Sequence, residues 1–301
     1  MAMSIPKTIV HIGYAKAASS TLQAFFSACP SVHHVDRGVA FKLLTAPNAF
    51  DYDQTAAADF FTQQAEQAAS SGNTLVISHE RLSGNPHSGH YDDTLIAQRI
   101  ANVLPGAHVL ISIREQLALI SSIYKQYLRI GGTMTFRQYT MPMRDYRVPG
   151  FNHSKYEYHH LIKHYQDLLG NDHVHVSLVE DLALDPDSYF QSLSELLESP
   201  MPEHFDPSSV HNPAEPSSSL ASLRRTNRYR SDPTTIRPPQ LEPAEPLQRL
   251  SRLISKLRPC EDPRPEDEAS ALFSGHFNDS NRLLSAMLGK DLASQGYSTD
   301  P

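Results

Sequence analysis

Short apolar runs alternate with amphipathic stretches along the N-terminal part of the chain. Runs rich in aliphatic and β-branched residues predict strands at 8–13, 74–78, 108–113 and 173–178. Apolar positions spaced three to four apart predict helices over 19–28, 55–69, 92–103, 115–129, 156–169 and 186–197. Short, uniformly apolar strands suit a sheet that is covered on both faces. The pattern therefore predicts a three-layer α/β domain with a central, mostly parallel sheet flanked by helices.

The sequence indicates where one of these helices ends and how another begins. We expect Gly170 to end the helix over 156–169, because glycine readily adopts the backbone that follows a helix. We expect the helix over 92–103 to have an aspartate cap and one apolar face, formed by Asp92 or Asp93 as the cap and by Leu95, Ile96, Ile100 and Val103.

The composition changes near Glu198. Prolines recur over 199–246, together with serines at 217–219 and a basic cluster at 224–230. This composition indicates a long excursion over the domain or a flexible lid. Helical periodicity returns at 247–257 and 266–288, so a helical segment over about 247–297 is expected to pack back. We therefore expect a single domain over 1–301.

Charge and composition exclude several classes of protein. The chain has 301 residues, 40% of them hydrophobic, with a formal net charge of −7 and a pI near 6.1. This balance gives no overall positive field for a nucleic acid. No apolar run reaches the ~18 residues of a membrane-spanning helix, and no secretory leader pattern begins the sequence. With only Cys29 and Cys260 as thiols, we expect a cytoplasmic protein with reduced cysteines.

The first predicted strand leads into a loop that could bind an anion. Gly13 turns the chain, and Lys16 precedes the hydroxyl residues Ser19, Ser20 and Thr21 at a predicted helix N-terminus. Such an N-terminus presents unpaired N–H groups at the positive end of the helix dipole. The alternative is an ordinary connection with Ser19 as the cap and Lys16 in solvent. Ala17 supplies no hydroxyl for magnesium, which argues against a nucleoside triphosphate loop.

A second candidate anion site follows the strand at 108–113. Arg114 ends that strand, at the sheet edge where ligands bind in open α/β folds. Ser122 lies eight residues later on the following predicted helix. A guanidinium fork and a hydroxyl suit a second phosphate. Alone, Ser122 is better explained as a small residue that eases helix packing.

Together these motifs resemble the PAPS-dependent sulfotransferases, where PAPS is 3′-phosphoadenosine 5′-phosphosulfate. The segment 14–20 (YAKAASS) is similar to the family's Y-P-K-[ST]-G-[ST]-[ST] loop, and Arg114 with Ser122 matches its 3′-phosphate site. The resemblance extends to its bacterial branch and to carbohydrate sulfotransferases, through 152–182, 222–227 and 277–297. It implies a P-loop-like version of the α/β domain and a transferase that moves a sulfuryl group to an acceptor hydroxyl of a glycan or another metabolite.

The resemblance also implies residue roles. Lys16 would neutralise charge on the bridging oxygen, and Arg114 with Ser122 would hold the 3′-phosphate. The general base would be Glu80, or His79 beside it, because both follow the strand at 74–78. Arg225 is a weaker candidate for a phosphate contact. The 5′-phosphate would be held by the backbone of the loop residues Ala17, Ala18, Ser19, Ser20 and Thr21, with the Ser19 and Ser20 hydroxyls. The product would be adenosine 3′,5′-bisphosphate.

No metal is expected as a cofactor. The family's reaction requires none, and adjacent histidines such as His159 and His160 are expected to point in different directions. A solvated or acceptor-lining role is expected for them. Two competing functions remain, a magnesium-dependent phosphotransferase of the kinase class and a non-catalytic nucleotide-binding protein.

The loop departs from the family pattern at two positions. Ala15 replaces the family's proline and Ala18 replaces its glycine. A left-handed backbone at Ala18 would cost roughly 1–2 kcal/mol, and its β-carbon would crowd the phosphate. We expect instead a right-handed helical turn at Ala18, where alanine is the better helix former.

Overall fold

The computed structural model of the protein describes residues 7–141, 150–206, 217–227 and 263–300. Its centre is a parallel sheet with the strand order β2-β3-β1-β4-β5. The prediction of an α/β domain around a parallel sheet is confirmed. The strands are β1 (Thr8–His11), β2 (Val32–His34), β3 (Thr74–Ser78), β4 (His108–Ile113) and β5 (Val174–Leu178).

Alternate residues of the central strands pack on opposite faces of the sheet. Ile9, Val76 and Leu110 join one hydrophobic core with the phenylalanines of the first helix. Val10 and Ile77 join a second, larger core on the other face. Because both faces are covered, the central strands carry apolar residues on both faces, and their buried polar residues His11, Ser78 and Ser112 hydrogen-bond to one another. This arrangement gives the three layers that the sequence predicts.

Helices lie on both faces of the sheet. On the face of Ile9 they are α1 (Ser19–Ala28) and α9 (Pro186–Leu196). The other helices of the described residues are α2 (Arg37–Ala40), α3 (Gln54–Ser70), α4 (Asp93–Val103), α5 (Gln116–Arg129), α6 (Phe136–Thr140), α7 (His159–Leu169), α8 (Val179–Leu184), α10 (Ser217–Asn227), α11 (Pro265–Phe273) and α12 (Asn278–Leu288).

Several element boundaries differ from the sequence predictions. α7 begins at His159 rather than near residue 156, because residues 153–156 form a separate 3₁₀ turn. Asp92 precedes α4 but its side chain does not cap it, since Asp92 Oδ1 accepts the Asn85 N–H instead. Leu95 is exposed rather than on the buried face of α4.

The periodic segment 266–288 forms two helices, α11 and α12, with a bend at Gly275 (φ +68°) between them. The strand β2 was not predicted, because its His33-His34 pair interrupts the apolar pattern.

The C-terminal helices pack on α5. The Asn227 amide of α10 donates to the carbonyl oxygens of Leu128 (2.6 Å) and Gly132 (2.8 Å). The Ser121 hydroxyl of α5 donates to the Pro265 carbonyl at 3.2 Å. Most of the proline-rich stretch 199–246 and the predicted helix 247–257 lie outside the described residues, so the single-domain expectation stays a prediction. Within the described ranges, no helix combines the length and apolar character needed to cross a membrane.

Candidate functional site

The carboxyl ends of β3, β1 and β4 lie side by side at one edge of the sheet. The His11 ring on β1 links them, with Nδ1 2.8 Å from the Ser78 hydroxyl and Nε2 2.7 Å from the Ser112 hydroxyl. Above this edge lies a cleft of about 710 Å³. It is lined by the predicted residues Lys16, Ala18, Ser19, Ser20, Thr21, Glu80, Arg114 and Ser122, and also by Ala15, Ala118, Lys125, Gln126, Arg129, Val179 and Glu266.

Gly13 and Tyr14 hold the start of the loop between β1 and α1 in place. A β-carbon at Gly13 would lie only 2.7 Å from His11 Nε2 and 2.9 Å from Ser112 Oγ, so glycine is required for this close approach. The buried Tyr14 ring packs against Tyr158 with a centroid distance of 4.9 Å. Its hydroxyl donates to the Lys155 carbonyl at 3.0 Å. These contacts hold the start of the loop against the protein core.

The expected right-handed turn at Ala18 is wrong. Ala18 has φ +58° and ψ +17°, and Lys16 has φ +71°, so both residues occupy the left-handed region. Residue 18 therefore adopts a backbone conformation that favours glycine. When left-handed residues alternate with residues in other conformations, successive backbone N–H groups turn toward the same side of the chain. These N–H groups form a concave surface that can bind an anion. Such strain in non-glycine residues is concentrated at functional sites in proteins.

The start of α1 leaves polar groups without partners. Ala18 occupies the N-cap position and has no side chain that could cap the helix. The Ser19 Oγ atom is buried and has no hydrogen-bond partner, so the alternative of Ser19 as the cap is also wrong. The N–H groups of the first turn have no intrahelical acceptor. A buried hydroxyl and these donors therefore face a cleft that can accept an anion.

Four cationic side chains line the cleft, Lys16, Arg114, Lys125 and Arg129. The pKa of Lys16 is lowered by burial and then by the charges of Arg129 and Arg114. Among the described residues, neither Lys16 nor Arg114 has a carboxylate partner. The charge of Arg114 acts on the Glu115 carboxylate without an ion pair between them. Two partly buried cations that form no ion pair favour an anion between them.

Arg114 is positioned by the strand end and the helix after it. Glu115 caps α5 by accepting the N–H groups of Leu117 and Ala118, both at 2.8 Å. The buried Tyr158 hydroxyl donates to the Arg114 carbonyl at 2.5 Å. Ser122 lies two turns into α5, on the face that turns toward the cleft.

Lys125 and Arg129 were missed by the sequence analysis. They continue the cleft-facing side of α5 at three and seven residues after Ser122, so helical periodicity could have identified them. Glu266 was also missed, because only tertiary folding brings α11 beside α5. Glu266 forms an ion pair with Lys125. Burial opposes the charge of Glu266, but the hydrogen bond and charge of Lys125 outweigh it and lower the Glu266 pKa.

The structure separates the two candidate bases. Glu80 lines the cleft and accepts hydrogen bonds from the Arg37 guanidinium at 3.1 and 3.3 Å. His79 does not line the cleft. Its Nδ1 accepts the Arg81 N–H at 2.9 Å and its ring stacks on Phe41. Burial is the main cause that lowers the pKa of His79.

Two other predicted residues do not reach the cleft surface. Ala17 is fully buried, and its N–H donates to the Tyr14 carbonyl at 3.0 Å, so that amide is already engaged. Arg225 is exposed on α10 and is not among the residues that line the cleft.

The fold defined by this sheet and cleft occurs in solved structures. The chain superposes on a sulfotransferase from Alicyclobacillus acidocaldarius with a TM-score of 0.56 and 15% identity, covering 97% of this chain and 99% of that one. The sulfotransferase domain of the Synechococcus PCC 7002 olefin synthase gives a TM-score of 0.43 and 13% identity over 87% of this chain and 98% of that domain. No protein-family model and no curated protein matches the sequence. The first likeness confirms the P-loop-like α/β fold of a sulfotransferase.

Proposed function

We propose that the protein is a PAPS-dependent sulfotransferase that acts on a hydroxyl of a glycan or another metabolite. Lys16 and Arg114 carry this proposal. They are cations at the ends of the neighbouring strands β1 and β4, they line one cleft, and neither has a carboxylate partner among the described residues. A nucleotide with an anionic group at each end, the 5′-phosphosulfate and the 3′-phosphate, matches two such positions.

The residues of the cleft fit such a donor. The orphaned Ser19 hydroxyl, the Ser20 hydroxyl and the N–H groups of residues 18–21 would hold the 5′-phosphate. Arg114 and Ser122 would hold the 3′-phosphate, with Arg129 adding positive charge from the next two turns of α5. We leave Ala17 and Arg225 out of this set, because the Ala17 amide is engaged and Arg225 lies outside the lining.

When bound, PAPS supplies the sulfuryl group. Lys16 stabilises the negative charge that develops on the oxygen joining phosphorus and sulfur. Glu80 accepts the proton of the acceptor hydroxyl on a carboxylate oxygen, and the Arg37 guanidinium holds that carboxylate in place. His79 is a poorer candidate, since its Nδ1 already accepts the Arg81 N–H.

Calorimetry with adenosine 3′,5′-bisphosphate in the absence of magnesium tests the donor site. Wild type should bind, and Lys16→Ala and Arg114→Ala should each weaken binding by about 10- to 100-fold, the effect of losing one hydrogen bond between charged groups. Lys163→Ala is the matched control, because Lys163 is exposed and pairs with Asp167 on the same helix. No binding to wild type, or an affinity unchanged from wild type in both cleft variants, contradicts the proposal.

Transfer of labelled sulfate from PAPS, screened across glycans and small alcohols, tests the reaction. Glu80→Gln should keep bisphosphate binding and lose transfer. Binding without transfer to any acceptor would favour the non-catalytic alternative. Turnover that requires ATP and magnesium would favour the alternative of a phosphotransferase of the kinase class. The sequence opposes that alternative, because Ala17 follows Lys16 and has no hydroxyl to bind magnesium.

A further inference from the structure

A group of metal-binding side chains lies at the start of α7, on residues to which the proposed reaction assigns no role. One ligand atom from each of Glu157, His159 and His160 lies within 4.8 Å of the other two. The expectation that His159 and His160 point in different directions is wrong, because their ring centroids are 3.9 Å apart. The sequence spacing E-x-H-H alone does not reveal this, since it depends on the backbone at the helix start.

The backbone explains how three nearly consecutive residues converge. His159 is the first residue of α7, and Glu157 precedes the helix with the non-helical angles φ −76° and ψ +77°. The Glu157 side chain can therefore fold back over the first turn instead of pointing along the helix face. Its Oε2 atom lies 3.4 Å from His160 Nε2.

We propose that Glu157, His159 and His160 bind a divalent transition-metal ion, with Zn²⁺ as the best match. Two imidazole nitrogens and one carboxylate oxygen form a typical zinc ligand set. Bond lengths of about 2.0–2.1 Å in a tetrahedron place neighbouring ligand atoms roughly 3.3 Å apart. The observed 3.4 Å between Glu157 and His160 matches this edge. A water molecule would complete the fourth position, since His160 is exposed.

Ser280 supports the ligand orientation. His159 Nδ1 lies 2.8 Å from the Ser280 hydroxyl of α12, which is buried. With His159 Nδ1–H donating to the Ser280 oxygen, the lone pair of Nε2 would be free for the metal, the arrangement found around most metal-bound histidines. The ion would join the start of α7 to α12 through His159. It would also hold Tyr158, which lies between two of the ligands and supports the Arg114 carbonyl.

Metal binding is tested on the full chain after treatment with a chelator. Calorimetry with Zn²⁺ should give one site per chain, and Co²⁺ should give the intense visible absorption of tetrahedral coordination. Glu157→Gln, His159→Ala and His160→Ala should each weaken this site by at least about 10-fold. Ser280→Ala keeps all three ligands and should weaken binding by roughly 10- to 100-fold through the lost support of His159.

His204→Ala is the matched control, because His204 is an exposed histidine outside the site. It should bind Zn²⁺ as wild type does. A saturating concentration of Zn²⁺ should raise Tm by roughly 5 °C in wild type and His204→Ala, but not in His160→Ala. Since His160 is exposed, that variant should fold. Unchanged Zn²⁺ affinity in both Glu157→Gln and His160→Ala, or a Tm rise that survives in His160→Ala, would overturn the proposal.

Discussion

Replacing Ala18 with glycine should stabilise the protein. Ala18 is held at φ +58° and ψ +17°, where the β-carbon of an L-residue approaches the following carbonyl oxygen. The strain costs roughly 1–2 kcal/mol, and glycine does not carry it. Glycine also makes the unfolded chain more flexible, which takes back about 0.4–1 kcal/mol. The expected net gain in the free energy of unfolding is therefore about 1 kcal/mol, equivalent to a Tm rise of roughly 1.5 °C in a chain of 301 residues.

Urea denaturation and thermal melting, both without nucleotide, measure this gain separately from any effect on ligand binding. Ala18→Ser is the first control, because serine keeps the β-carbon and should give no stabilisation. Ala17→Gly is the second. Ala17 is fully buried and is not among the residues with positive φ, so glycine there should destabilise the protein. An Ala18→Gly chain no more stable than wild type would refute the inference that Ala18 stores strain.

Three further perturbations follow from buried contacts. Burial lowers the pKa of His90 to about 4, so between pH 6.5 and 4 the unfolded chain binds a proton at this residue that the folded chain does not bind. Urea titrations from pH 7 to 4 should therefore show the free energy of unfolding falling, by up to about 3 kcal/mol from His90. Gly132→Ala should lower Tm, because the new β-carbon would lie 2.2 Å from the buried Tyr127 ring; an unchanged Tm contradicts the packing. Asn227→Leu should cost about 2–3 kcal/mol and speed hydrogen exchange in α10, since the carbonyls of Leu128 and Gly132 both lose the Asn227 amide as a donor.

Four of the five strands and the positions of the candidate anion-binding residues were predictable from the sequence for a physical reason. Buried parallel strands are largely apolar on both faces, and polar residues that follow such a run lie near the ligand-binding edge of the sheet. Lys16, Glu80 and Arg114 were found in this way, and all three line the cleft.

The features that the sequence analysis missed depend on backbone conformation or tertiary contacts. Alanine is a strong helix former, so Ala18 predicts a right-handed turn, whereas the folded loop holds it in the left-handed region. Arg37 reaches Glu80 from α2, and Glu266 reaches Lys125 from α11, across large separations in sequence. No local pattern encodes such pairs.

Ion pairs distinguish the cations in and around the cleft. Lys125 in the cleft and Arg37 beside it form ion pairs with Glu266 and Glu80, whereas Lys16 and Arg114 form no ion pair among the described residues. A protein gains nothing in stability from leaving a partly buried lysine close enough to two arginines for their charges to lower its pKa. The strained loop adds a further cost at the same place. An anion that binds between the ends of β1 and β4 would recover the electrostatic part of this cost. This is the physical argument for the proposal that the cleft binds a ligand with two separated negative groups.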